Sequence, residues 1–311
     1  MFKASGVNLL DVPPEQVKSW LDSFDTVISD CDGTLWQHET AIEGVVAVMN
    51  ALQLRAGKQV YLITNNGLKT RHELWQRAQN LGFELPSEEH IISPTQTIVD
   101  YLKQCATFDS TKKVFVIGNT AIARELKAAG IESFGAGEAD QLQPDDTWQQ
   151  FVQRELTQPA AAEHVGAVVV GWDEHFSYCK VARACHILSS NESCAFLATN
   201  KDEVHRYPKF AMPGTGAFVS AIETCAQREA TEMGKPNPLV IQSLIDAAAL
   251  QPERTLMIGD CPKVDVAFAR NCNMQSLLVG TGNYQLETLC GKQLPMPDVY
   301  LPRLGNLLPY I

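Results

Sequence analysis

The stretch Val27-Ile28-Ser29-Asp30-Cys31-Asp32-Gly33-Thr34-Leu35-Trp36 decides how the chain folds and where its chemistry gathers. It opens with a short apolar, β-branched run, which predicts a buried strand over about 26–30. It then sets two carboxylates one residue apart and follows them with Gly and Thr. Where parallel strands end in an α/β sheet, side chains point into a ligand-binding crevice. Two carboxylates delivered there crowd into one small volume, and like charges that close shift a pKa or share a cation. Gly33 lets the chain turn sharply directly after them. The expectation is a metal-assisted acidic site. An ordinary Asp/Gly surface turn is the alternative that this stretch alone leaves open.

Outward from it, strands and helices alternate. A helix is predicted over 13–22, with Pro13 and Pro14 near its start. An amphipathic helix is predicted over 42–54, then a strand over 59–63 that ends in Thr64-Asn65-Asn66-Gly67. A helix over 70–81, a short strand at 91–92 and a helix over 94–104 follow. This rhythm implies a mostly parallel sheet covered by helices. A second unit repeats it. Strands are expected at 113–118, 166–171 and 194–200, with helices over 120–129, 176–189 and 215–228. Residues 135–163 read as loop plus a short helix, and 201–213 as a loop. Beyond Gly234-Lys235-Pro236-Asn237-Pro238 come a helix over 238–249 and a strand over 255–260. Asp265 opens a helix over 265–271, and strands at 275–279 and 298–301 close the chain.

Three buried strands thus end in polar groups at one edge: Asp30, Thr64 and Asp260. Asp30, Asp32 and Asp260 are hard oxygen ligands, suited to Mg²⁺ and poor for Zn²⁺. Thr64, followed by Asn65-Asn66 at a helix start, offers a hydroxyl and N–H donors to an anion. Lys235, framed by Gly and Pro, brings a cation. Together these groups describe phosphoryl transfer through an aspartyl phosphate. Each has a blander reading alone: Thr64-Asn65-Asn66 as a helix cap, Lys235 as a solvated loop lysine, Asp265 as an acid favoured at a helix start. Their joint occurrence carries the site.

Bulk properties narrow the class. The chain has 311 residues, 45% hydrophobic and 20% charged, with a net charge of -11. That length suggests about two domains. The acidic balance argues against nucleic-acid or anionic-membrane binding, though not against a small anion held by a local metal and lysine. The nine Cys lack CxxC pairs and read as reduced thiols of a cytoplasmic protein. The first residues lack a signal-peptide core, and no apolar run approaches a membrane span.

In order and residue type the motifs resemble the haloacid dehalogenase superfamily. The first is matched by Asp30-Cys31-Asp32-Gly33-Thr34, the second by Thr64-Asn65-Asn66, the third by Lys235, and the fourth by Gly259-Asp260 with Asp265. The phrases Val168–Tyr178, Ala198-Thr199-Asn200 and Pro213-Gly214-Thr215-Gly216 look like the large inserted cap of one subgroup. That subgroup holds phosphoglycolate, pyridoxal phosphate (chronophin) and p-nitrophenyl phosphatases. The resemblance implies an α/β, Rossmann-like parallel-sheet core over 1–105 and 230–311, with an inserted α/β cap over 106–229 that selects substrate. It also implies roles. Asp30 would be the nucleophile and Asp32 the acid and then base. Asp30, the Asp32 carbonyl and Asp260 would hold Mg²⁺. Thr64, Asn65, Asn66 and Lys235 would bind the phosphoryl group, and Asp265 would orient Lys235 or a metal-bound water. A homodimer through the cap is implied by resemblance alone.

The fourth motif departs from its relatives at Cys261-Pro262-Lys263-Val264, where polar and acidic residues with a Thr are usual, and Gly67 stands where Ser is frequent. In the cap, Trp172 and His205 align with an aromatic and a His of pyridoxal phosphate phosphatases, and an aromatic and a His could sandwich a planar substrate. Core packing for Trp172 and a surface role for His205 are the alternatives. The leading expectation is Mg²⁺-dependent hydrolysis of a small phosphorylated metabolite. A phosphoprotein phosphatase and a catalytically weakened binding or regulatory protein stand as the other classes.

Overall fold

A computed structural model describes residues 2–139, 147–157, 163–206, 210–289 and 293–311. The chain divides into two units. One comprises Met1–Thr64, Arg71–Ile92 and Lys235–Ile311; the other comprises Asn65–Thr70 and Ser93–Gly234.

The first unit is built on a seven-stranded sheet. Its spatial order is Val7–Asn8, Val299–Leu301, Gln275–Val279, Thr255–Gly259, Thr26–Asp30, Gln59–Ile63 and Ile91–Ile92, and every pairing is parallel. The predicted α/β parallel sheet is therefore present, with Thr26–Asp30 flanked by strands on both sides. Val27, Val60, Leu62, Leu256 and Ile258 face one apolar cluster, while Ile28, Tyr61, Ile63 and Met257 face another. A strand covered on both faces is apolar at successive positions, which is why these segments read as continuous apolar runs. Register fixes the site: Asp30 pairs with Ile63, and Ser29 with Ile258. Asp30 is thus level with Gly259, and Thr64 and Asp260 sit one residue beyond the same edge.

The second unit has its own five-stranded sheet, ordered Thr231–Glu232, Ala195–Ala198, Val165–Val170, Lys113–Ile117 and Ser133–Phe134, again all parallel. Helices Tyr178–Ser190 and Thr215–Ala226 pack on each other. Helix Pro94–Gln104 packs here against Thr120–Ala128.

Several elements differ from expectation. Residues 201–213, expected as loop, carry an antiparallel ribbon, Val204–Arg206 with Ala211–Pro213; residues 207–209 lie outside the described residues. Pro213 sits at the ribbon's end, where a missing N–H costs least. The single helix expected over 238–249 is a 3-10 turn, Pro238–Ile241, and a short helix, Gln242–Asp246. Asn237 caps the turn by accepting from the Leu239 N–H at 3.1 Å. The helix expected from 265 begins as a wide turn, Pro262–Val266, that leads into Ala267–Asn271. Helix Val45–Leu54 starts later than predicted because Gly44 takes φ +79° ahead of it. In the polar stretch 135–163, helix Trp148–Phe151 runs into the turn Val152–Leu156, and residues 140–146 and 158–162 lie outside the described residues. No described helix is long and apolar enough to cross a membrane.

Candidate active site

Asp30 ends its strand with its carboxylate buried and divided between two donors. Lys235 Nζ reaches Oδ1 at 2.6 Å, and the Thr34 hydroxyl donates to Oδ2 at 3.0 Å. Lys235, fully buried, also donates to Asp265 Oδ1 at 2.7 Å. The other Asp265 oxygen accepts the backbone N–H groups of Asp260 and Cys261, at 3.1 and 2.9 Å. Asp265 therefore fixes both the lysine and the loop that carries Asp260. Burial alone would lower the Lys235 ammonium, but Asp265 and then Asp30 outweigh it and hold the group above its ordinary value.

Asp30, Asp260 and Asp265 each bring an oxygen within 4.8 Å of the others. Burial raises the Asp260 carboxyl well above the usual range, and the charges of Asp30 and Asp265 push the same way. Glycine makes room for it. A Cβ on Gly33, at φ +91°, would stand 2.5 Å from Asp260 Oδ2, and one on Gly282 would fall on the same carboxylate. Thr281 donates to the Gly33 carbonyl at 2.8 Å, pinning the 280–282 loop against the Asp30–Thr34 turn. The sequence signal of this loop, absent from the expected site, is a Gly-Thr-Gly run directly after the strand Gln275–Val279.

Asp32 lies within the turn, directly before Gly33, its side chain 49% exposed. Loss of hydration in the crevice, and after it the charge of Asp30, raises its carboxyl above the ordinary range. The Trp36 indole N–H donates to its Oδ1 at 3.0 Å. Thr64 is buried at the end of the adjoining strand, its N–H bonded to the Ile92 carbonyl at 3.1 Å.

The structure thus brings Asp30, Asp32, Thr64, Lys235, Asp260 and Asp265 together on one sheet edge of the first unit. Asn65 and Asn66 fall in the segment that packs with the second unit. There the Asn65 carbonyl accepts from Asn200 at 2.8 Å, and its amide donates to Asp202 at 3.3 Å. The Asn66 side chain accepts the Leu68 N–H at 2.9 Å, closing a local turn. Trp172 and His205, also in the second unit, meet edge to face with centroids 5.2 Å apart. The two residues expected to face a planar substrate are thus neighbours. Asp173, beside Trp172, is buried in an ion pair with Lys180 at 2.6 Å. The unusual loop Cys261–Val264 still delivers the Cys261 N–H to Asp265, and Lys263 points outward.

Comparison with known proteins agrees with this architecture. Residues 27–132 match the family described as haloacid dehalogenase-like hydrolase, and residues 232–307 match a related hydrolase-like family of the same type. Glycerol-3-phosphate phosphatase of Gallus gallus is 34% identical, over 95% of this chain and 94% of its own. Chloroplastic phosphoglycolate phosphatase 1A of Arabidopsis thaliana is 33% identical, over 94% of this chain and 79% of its own. Among solved structures, glycerol phosphate phosphatase from Mycobacterium tuberculosis, in complex with magnesium, superposes with a TM-score of 0.70 at 20% identity, covering 93% of this chain and 78% of that one. The chain belongs to the haloacid dehalogenase-like hydrolase family and to the phosphatases within it.

Proposed function

We propose that this protein hydrolyses small phosphate monoesters through an aspartyl phosphate on Asp30, with Mg²⁺ held by Asp30, the Asp32 carbonyl and Asp260. The observation that carries this reading is the buried Lys235 ammonium, shared between Asp30 and Asp265 at a parallel sheet edge. A lysine so placed orients a nucleophilic carboxylate and offers positive charge to phosphoryl oxygens. The donor set fits the metal. Four carboxyls, Asp30, Asp32, Asp260 and Asp265, stand against two cations, Lys235 and Arg77, and all are oxygen ligands. When bound, the ion would screen phosphoryl charge against the carboxylates.

Asp30, its oxygens steered by Lys235 and Thr34, attacks phosphorus. Asp32 gives its proton to the leaving oxygen, then takes one from the water that opens the aspartyl phosphate. Its raised proton affinity suits the first task and its remaining exposure the second. Thr64 contributes phosphoryl contacts from the adjacent strand end.

Relatives named for glycerol-3-phosphate and phosphoglycolate favour a small aliphatic phosphate, and we assign substrate selection to the second unit. Release of inorganic phosphate from glycerol phosphate, phosphoglycolate, pyridoxal phosphate and p-nitrophenyl phosphate, each with Mg²⁺ or EDTA, tests both statements. We expect Mg²⁺-dependent turnover, with kcat/KM highest for the aliphatic esters. A metal-independent rate defeats the mechanism, and a preference for pyridoxal phosphate defeats the substrate assignment. Since the Cys261–Val264 loop keeps its N–H on Asp265, no observation favours a weakened, non-catalytic protein.

Gly282→Ala places a methyl group on the Asp260 carboxylate and displaces a proposed metal ligand. The Mg²⁺ concentration giving half-maximal rate should rise by about 10–100-fold. The stabilisation that Mg²⁺ gives in thermal melts should weaken in parallel. Unchanged Mg²⁺ titrations by both measures would remove Asp260 from the metal site.

A further inference from the structure

We propose that Trp36 and Arg77 position the Asp32 carboxyl for proton transfer to the leaving oxygen. This inference rests on the phosphatase reading above.

Trp36 sits four residues past Asp32, on the far side of the Gly33 turn. Its indole is fully buried, packed edge-on against Phe83 with centroids 5.9 Å apart. Its backbone closes the turn: Gly33 N–H donates to the Trp36 carbonyl at 2.8 Å, and Trp36 N–H donates to the Cys31 carbonyl at 3.1 Å. A ring held from both sides has little freedom, so the N–H it aims at Asp32 Oδ1, 3.0 Å away, is fixed in direction.

Arg77 comes from helix Arg71–Asn80 and lies over that same ring, its guanidinium carbon 4.8 Å from the centroid. Nη1 stands 3.9 Å from Asp32 Oδ1, and Nε is 3.9 Å from Glu39 Oε2. The side chain is only 10% exposed, and its buried Nε has no hydrogen-bond partner among the described residues. A guanidinium buried with so little hydrogen bonding is costly, and the ring beneath it offsets part of that cost. Its position is explained by what it faces, an aromatic ring and one oxygen of Asp32.

Both contacts fall on Oδ1, which leaves Oδ2 to carry the transferable proton. As the phosphorus–oxygen bond breaks, that proton passes from Oδ2 to the leaving oxygen, and a full negative charge appears on Asp32. The indole N–H and the guanidinium already face that charge, so little reorganisation is needed when it forms. In the second half of the cycle the same carboxylate takes a proton from the attacking water. Protons balance within the cycle without an added reactant.

Leaving-group dependence separates this role from mere packing. The alkoxide leaving from glycerol phosphate needs a proton, whereas p-nitrophenolate departs with little help. Trp36→Phe keeps the ring and removes the N–H. It should lower kcat/KM for glycerol phosphate by about 10–100-fold and for p-nitrophenyl phosphate by less than about threefold. Arg77→Met should move the ratio of the two substrates in the same direction, and Arg77→Lys should restore most of it. Circular dichroism and melting temperature report whether each variant folds; if Trp36→Phe does not, the Arg77 pair decides. Equal losses on both substrates, or no difference between Arg77→Met and Arg77→Lys, overturn the proposal while the phosphatase reading stands. An unsubstituted protein that releases phosphate from neither ester overturns both.

Discussion

Asp30→Asn should lower phosphate release by at least about 10³-fold with every monoester tested, because an amide oxygen is not a competent nucleophile at phosphorus. The substitution is nearly isosteric. Thr34 can still donate to the amide oxygen, and Lys235 keeps its 2.7 Å partner in Asp265. One negative charge leaves a cluster of four carboxyls, so relief of repulsion from Asp260 offsets part of the lost ion pair with Lys235. The fold should therefore survive, with an unchanged circular dichroism spectrum and a melting temperature within a few degrees of the parent. Acid-stable, hydroxylamine-labile ³²P incorporated from substrate should be found on the parent and not on the variant. Turnover above about 1% of the parental rate in a folded Asp30→Asn protein would assign the nucleophile elsewhere.

The residues that prediction depends on were readable before any coordinates, for a physical reason. Strands Thr26–Asp30, Gln59–Ile63 and Thr255–Gly259 are covered on both faces, so each is mostly buried and apolar up to the sheet edge. A polar side chain at the end of such a strand belongs to the crevice, and Asp30, Thr64 and Asp260 are such side chains, whereas Ser29 lies within its strand. Trp36 and Arg77 were not readable in this way. An indole after Leu35 looks like core, which it is, and only its orientation turns the N–H toward Asp32. Arg77 sits mid-helix with no spacing to link it to residue 32. Gly282 was missed because a glycine's contribution is the room it leaves, visible only once Asp260 is in place. Two-residue strands such as Val7–Asn8, Ser133–Phe134 and Thr231–Glu232 are too short to carry a periodic signal. Asn65–Thr70 groups with the second unit, and its hydrogen bonds to Asn200 and Asp202 join residues more than a hundred positions apart. The contact of Trp172 with His205 is likewise a fact of packing.

Lys235→Met should destabilise the protein more than any other single change at this site. The methionine fits the volume of the lysine stem, so the loss is one of charge rather than of packing. It leaves Asp30 and Asp265, which are 10% and 3% exposed at the side chain, facing each other without their shared ammonium. Removing one partner of a buried ion pair costs about 3–5 kcal/mol, which lowers the melting temperature of a unit the size of the first by about 6–20 °C. Activity should disappear as well, since the Thr34 hydroxyl, which then remains on Oδ2 alone, brings no positive charge to the Asp30 carboxylate or to phosphoryl oxygens. The double variant Lys235→Met with Asp265→Asn separates these effects. Asp265→Asn takes away one of the two uncompensated charges while its remaining carbonyl oxygen can still accept the N–H groups of Asp260 and Cys261. The pair should therefore melt higher than Lys235→Met alone, giving a coupling of about 1 kcal/mol or more in a double-mutant cycle, while phosphate release stays absent. A Lys235→Met protein that melts within about 2 °C of the parent would mean that Asp30 and Asp265 are neutralised by some other group, and the central place given to the lysine would be lost.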